Sequence, residues 1–321
     1  MLWIGLALTA ATATLLVAGY LRAPKLTPFP RSGWVGLAII AVAEALLFAG
    51  IAPVPVYFTP IVWTGYILAV DSAIYSIRRR SLIRGEPQAF VWMAVLSIFL
   101  WSVFEGYNLY LHNWMYVGLP NNDFVRYAGY GWAFATIWPA ILETAELLLV
   151  TWLRHHSPPP VPGSRPTHWL PIAAGLLMVT VPPLLPSHLG VYMFGCVWLG
   201  FIFLVDPIND SDGRPSLRAD WRNGYRARLW ALLLSGAACG FLWEFWNFWA
   251  QGKWFYIFPI LESWTIFEMP APGFLGFPAF ALEVFVLYVF AAGQLDLPLY
   301  PISPRPEPPA ATTLGLGDPT R

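Results

Sequence analysis

The stretch Gly240-Phe241-Leu242-Trp243-Glu244-Phe245-Trp246-Asn247-Phe248-Trp249 is apolar and aromatic except for one carboxylate and one carboxamide. A separation of three residues puts Glu244 and Asn247 on the same face of a helix. The same pair occurs earlier, in Phe104-Glu105-Gly106-Tyr107-Asn108. Burying polar groups in apolar surroundings is costly, so a pair that occurs twice needs a physical reason.

Around this stretch the chain has a membrane composition. Only 11% of its 321 residues are charged and 57% are hydrophobic, whereas soluble proteins carry about 25% charged residues. Nucleic-acid binding is excluded, because no basic face is interleaved with aromatics. Cys196 and Cys239 lie in separate apolar segments and fit neither a disulfide framework nor a metal site.

Nine apolar segments are long enough to cross a bilayer as helices: 2–21, 34–52, 56–77, 88–110, 127–153, 168–186, 190–206, 226–249 and 272–293. The first lacks a basic leader and is too long for a signal peptide, so it is read as a span. Sixteen of the eighteen lysines and arginines fall on one side of this topology, and only Arg126 and Lys253 fall on the other. That bias puts the N-terminus outside and the C-terminus inside. The expectation is an all-α, polytopic transmembrane bundle in the cytoplasmic (inner) membrane.

The residues also repeat. Trp63-Thr-Gly65-Tyr-Ile67-Leu-Ala-Val70-Asp71 matches Trp198-Leu-Gly200-Phe-Ile202-Phe-Leu-Val205-Asp206, and Ser81-Leu82 matches Ser216-Leu217 at the same offset. Glu105 and Asn108 then align with Glu244 and Asn247, Pro139-Ala140 with Pro278-Ala279, and Trp114-Met-Tyr116 with Trp254-Phe-Tyr256. These matches predict a parallel internal repeat of three helices, with sites near the repeat interface. The expected layout is N-terminal helices over 1–55, a first unit over 56–156, and a proline-rich linker with a connecting helix over 157–189. A second unit over 190–293 and a disordered cytoplasmic tail over 294–321 complete it. A four-helix unit adding the second and sixth segments remains open, although the residues there match poorly.

The acids inside the spans carry the candidate chemistry. Asp71 and Asp206 are expected as caps or ion pairs at the cytoplasmic ends, and Glu44 as a structural hydrogen-bonding group. Glu105, Glu143, Glu146, Glu244 and Glu283 are expected to have no lysine, arginine or histidine beside them within the spans, where only His168, at the start of 168–186, and Arg226 and Arg228, at the start of 226–249, occur. Glu244 and Glu283 are expected to face one cavity as an acid and its counterpart, with Glu105 and Glu143 as second copies and Asn247 and Asn108 orienting the carboxyls. A protonated carboxyl in a dry cavity can donate a proton to an apolar substrate, and the faces of Trp243, Trp246 and Trp249 can stabilise a developing cation. Glu146 and Glu268 are further candidates for contact with the substrate. The aromatic segment 253–270 is expected to fold back as a lid. The bland alternative is interhelical hydrogen bonding among core aromatics.

A three-helix unit with an acid late in its second helix and proline-then-glutamate on its third resembles the lycopene cyclase domain. The resemblance covers about residues 60–150 and 195–290. It rests on Glu105, Pro139-Ala-Ile-Leu-Glu143, Glu244 and Pro278-Ala-Phe-Ala-Leu-Glu283, which lack the acid doublet found after the proline in that family. It implies cofactor-free, proton-initiated cyclisation or isomerisation of a carotenoid-like isoprenoid. Two other readings stay open: a proton-coupled transporter, and a non-catalytic subunit of a membrane complex. The partners expected are a lipid-soluble small molecule and membrane lipids, with homo- or hetero-oligomers possible.

Histidine ligation of haem or a di-iron centre is not expected, because His112, His155, His156, His168 and His188 lie at segment ends or in loops. Asp206-Pro-Ile-Asn-Asp210-Ser-Asp212-Gly213 departs from a calcium loop and is read as a solvated turn.

Overall fold

A computed structural model describes residues 1–154, 169–257, 259–261, 263–300 and 302. Residues 157–168 of the predicted linker, His155, His156 and, of the tail, residues 301 and 303–321 lie outside the described residues.

The fold is helical. Its helices are α1 (Leu2–Arg22), α2 (Arg31–Phe48), α3 (Val54–Arg78), α4 (Leu82–Gly85), α5 (Pro87–Leu111), α6 (Asp123–Thr151), α7 (Trp169–Thr180), α8 (Ser187–Gly190), α9 (Phe194–Ser211), α10 (Leu217–Arg222), α11 (Ala227–Trp249) and α12 (Gly276–Gln294). Local chemistry fixes several of their ends. The Asn122 side chain accepts from the Val125 amide at the start of α6, and Ser216 accepts from the Ala219 amide at the start of α10. Pro87 begins α5, where its missing N–H costs nothing.

Among the described residues, seven helices are long and apolar enough to cross a membrane: α1, α2, α3, α5, α6, α11 and α12 with its preceding turn. The sixth expected segment differs. Among the described residues its helix α7 runs Trp169–Thr180 and stops there, because Pro182, Pro183 and Pro186 cannot continue the backbone ladder and a 3₁₀ turn, Pro182–Leu184, follows. The seventh, α9, has 18 residues and carries Asp206, Asn209 and Asp210 near its end. The acidic stretch from Asp206 is therefore the buried end of a helix, which corrects its reading as a solvated turn.

Helices α3, α6, α11 and α12 form the centre, with α6 packed extensively against both α3 and α11 and α12 packed against α9 and α11. Outward-facing Trp3, Leu21, Phe99, Leu109 and Leu170 leave an apolar periphery suited to lipid. Glycine pairs let two helix pairs approach closely. A Cβ on Gly36 of α2 would collide with the Gly65 carbonyl of α3, and one on Gly175 of α7 would collide with the Gly200 carbonyl and the Leu204 amide of α9. The second and sixth segments thus dock on their neighbours through the same device.

At one end of the bundle, two strands join the halves of the chain. Strand β1 (Trp114–Val117) pairs antiparallel with β2 (Lys253–Tyr256), placing Trp114 opposite Tyr256 and Tyr116 opposite Trp254. A smaller pair, β3 (Thr265–Ile266) and β4 (Met269–Pro270), follows.

Candidate functional site: an aromatic cavity walled by paired phenols

The two Glu-x-x-Asn pairs make the same contacts. Asn247 donates to the Trp254 carbonyl at 2.9 Å and accepts from the Trp254 amide at 3.0 Å. Asn108 does the same with Trp114, at 2.8 and 3.1 Å. Each carboxamide therefore ties the end of its own helix to the strand that follows, satisfying backbone groups that would otherwise be buried unpaired.

Each glutamate receives the side chains of that strand. Tyr256 donates to Glu244 Oε1 at 2.7 Å and Trp254 Nε1 donates at 3.4 Å. Tyr116 donates to Glu105 Oε1 at 2.6 Å, joined by Trp101 Nε1 at 2.9 Å and Trp114 Nε1 at 3.3 Å. Burial, together with the adjacent carboxyl, pushes both phenols well above their ordinary value, so they stay protonated and act as donors.

These aromatic side chains wall a cavity of about 450 Å³, a volume typical of small-molecule sites. Trp101 and Phe134 line it from α5 and α6, Trp198 from α9 and Phe280 from α12, with Tyr116 and Tyr256 from the strands. The cavity exists because packing is unequal: α6 is pressed against α11, while α5 barely touches α12. Trp63, Trp243 and Trp246 fill the tight side, with ring centroids 5.0 and 5.1 Å from Trp63. On the loose side Trp101 meets Phe280 edge-on at 5.5 Å, leaving open volume beside them.

The expected site residues are only partly gathered here. Trp243 lines the cavity; Glu244 and Glu105 stand behind its wall, each joined to it by a phenol. Trp246 instead donates to Glu44 at 3.3 Å, and Trp249 stacks edge-on with Phe48. Glu268 ion-pairs with Lys253 at 2.6 Å; Lys253 lines the cavity and Glu268 does not. Of the segment 253–270, Lys253, Trp254, Tyr256, Ile260 and Met269 line the cavity.

Glu283 departs from expectation. It is fully buried on α12, makes no hydrogen bond among the described residues and does not line the cavity, so it does not face Glu244 across a shared space. Glu143 and Glu146 lie elsewhere, in a buried group with Asp71, Arg78 and Tyr300. Arg78 ion-pairs with Glu146 and hydrogen-bonds to Tyr300, which corrects the expectation that these acids lack a basic neighbour. The sequence places Arg78 at a span end, but α3 continues to that residue and its guanidinium turns inward to 5% exposure.

Asp71 and Asp206 act as expected for caps. Asp71 accepts from the Ile83 amide at 2.8 Å, and Asp206 accepts from Leu217 and Arg218 at 2.7 and 3.0 Å, each bracing a short helix.

Residues the sequence left without a role are Tyr116, Tyr256, Trp101 and Trp198. The Trp-x-Tyr match was the available signal, but only the strand pairing turns those rings toward the cavity. Among the described residues no group of three or more His, Cys, Asp or Glu could hold a metal ion. Protein-family models, curated proteins and solved structures give no match to this chain.

Proposed function

We propose that this chain is a multi-pass membrane enzyme of acid–base chemistry acting on a lipid-soluble, isoprenoid-like molecule held in the aromatic cavity. One observation carries the proposal: Tyr116 and Tyr256 stand on the cavity wall and each donates to a carboxyl behind it, at 2.6 and 2.7 Å. In this reading Glu105 and Glu244 hold the proton and the phenols meet the ligand. Adding a proton to one carbon of a double bond and then removing one from another carbon isomerises or cyclises a polyene without a cofactor. The faces of Trp101, Trp114, Trp198 and Trp254 stabilise the cation that develops between those steps. The resemblance to the lycopene cyclase domain supports the same substrate class.

The architecture belongs to the same proposal. Nine spans in the cytoplasmic membrane, N-terminus outside, put the strands and cavity on the outer side and the arginine-rich end inside. Two units of four helices, α2-α3-α5-α6 and α7-α9-α11-α12, follow from the matched glycine contacts, capping aspartates and Glu–Asn clamps. Under this reading α1 is an added span, and the first unit begins earlier than residue 56.

The test is mass spectrometry of lipid extracts from hosts accumulating different isoprenoid precursors. Expression should convert one precursor, and Glu244→Gln or Tyr256→Phe should lower conversion about a hundredfold at equal membrane protein level. Extracts identical to empty-vector controls across the panel would sink the enzyme reading.

A further inference from the structure

The cavity is apolar except for a charge imbalance on its wall. Among the described residues, Arg126 and Lys253 line it and no aspartate or glutamate does. They are also the two basic residues that the topology places on the outer side. Their acidic partners are not part of the lining. Asp123, paired with Arg126 at 2.5 Å, keeps 74% of its side chain exposed, and Glu268 holds Lys253 from outside the lining. The exposed Arg126–Asp123 pair contributes under about 1 kcal/mol and gives way readily, whereas Lys253–Glu268, at 18% and 16% exposure, is better shielded.

Depth orders the wall. The side chains of Arg126 and Lys253 are 29% and 18% exposed, while Trp114, Phe194 and Phe280 are 8%, 5% and 3% exposed as residues. The two cations are therefore more exposed than these three rings. Polar hydroxyls of Tyr57, Tyr130 and Tyr192 share the lining. A pure hydrocarbon would gain nothing from either cation, whereas a negative charge beside low-dielectric space gains more from them than it would in water.

We infer that the cavity takes an anionic amphiphile, tail inward, with a phosphate or carboxylate head held between Arg126 and Lys253. This rests on the reading of the cavity as a ligand site and narrows its substrate class.

Isothermal titration of the full chain in phosphatidylcholine nanodiscs tests it, using geranylgeranyl monophosphate and geranylgeraniol, which share one tail. The phosphate should bind about tenfold tighter at low salt. That advantage should vanish in the Arg126→Gln, Lys253→Gln double variant and shrink as potassium chloride is raised. Inorganic phosphate should not bind alone. Nanodiscs with phosphatidylglycerol should weaken the titration if bilayer lipid supplies the head, and leave it unchanged if a phosphorylated isoprenoid does; both results uphold the anionic head. Equal affinity for phosphate and alcohol overturns this inference while leaving the cavity reading standing. Failure of both probes to bind overturns both.

Discussion

Asn247 illustrates what a single residue contributes. Its carboxamide satisfies both backbone groups of Trp254, so Asn247→Ala leaves two polar groups unpaired beneath the cavity wall. The expected loss is about 1–3 kcal/mol. Thermal unfolding in detergent should show it, with Asn247→Asp intermediate because it keeps the acceptor and loses the donor. Melting curves that coincide with wild type would mean the clamp carries no load. The spacing of Glu244 and Asn247 was legible in the sequence, because helical geometry alone puts residues three apart together. Their partners were not, because Trp254 and Tyr256 reach them only after the chain reverses into a four-residue strand that leaves no periodic signature. Glu283 shows the converse: depth along a helix can be counted, but the direction a side chain faces depends on what packs around it.

Helices pair here by backbone approach. Gly36→Val in α2 or Gly175→Val in α7 would force a side chain into the neighbouring main chain. Each should cost about 1–3 kcal/mol and lower the temperature at which the protein stays monodisperse in size-exclusion chromatography. Gly131→Ala in α6 is the control: nothing lies within 4 Å of its Cβ position, so it should be neutral or mildly stabilising. If Gly175→Val behaves like the control, α7 does not dock on α9 through this contact. Hydropathy located the long helices well because an apolar run is a direct measure of the environment a helix needs. It did not reveal that α2 and α7 dock on their neighbours in the same way, since that likeness rests on one small residue in each rather than on matching sequence.

For the molecule as a whole, titration outside the membrane offers a readout of folding. Asp220 in α10 pairs with Arg228 at 2.8 Å, and burial raises its carboxyl from 3.8 to about 6 while the guanidinium pulls the other way. The folded protein thus holds this proton more tightly than the unfolded chain. Stability from it is full below about pH 4 and falls as pH rises toward 6, by up to about 3 kcal/mol. The difference in melting temperature between wild type and Asp220→Asn should therefore change across that window; a constant difference would contradict the assignment. The cavity itself could not be read from the chain. It arises from the contrast between the close α6–α11 contact and the slight α5–α12 contact, and near-equivalent residues sit on both sides.

The β1–β2 ladder joins the two halves at one end only, through Trp114 to Val117 and Lys253 to Tyr256. Because Tyr116 lies opposite Trp254 and Trp114 opposite Tyr256, the ladder sets the two phenol–carboxyl pairs in register with each other across the halves. The main chain thus acts as a ruler that spaces the two carboxyls, whatever the side chains around them do.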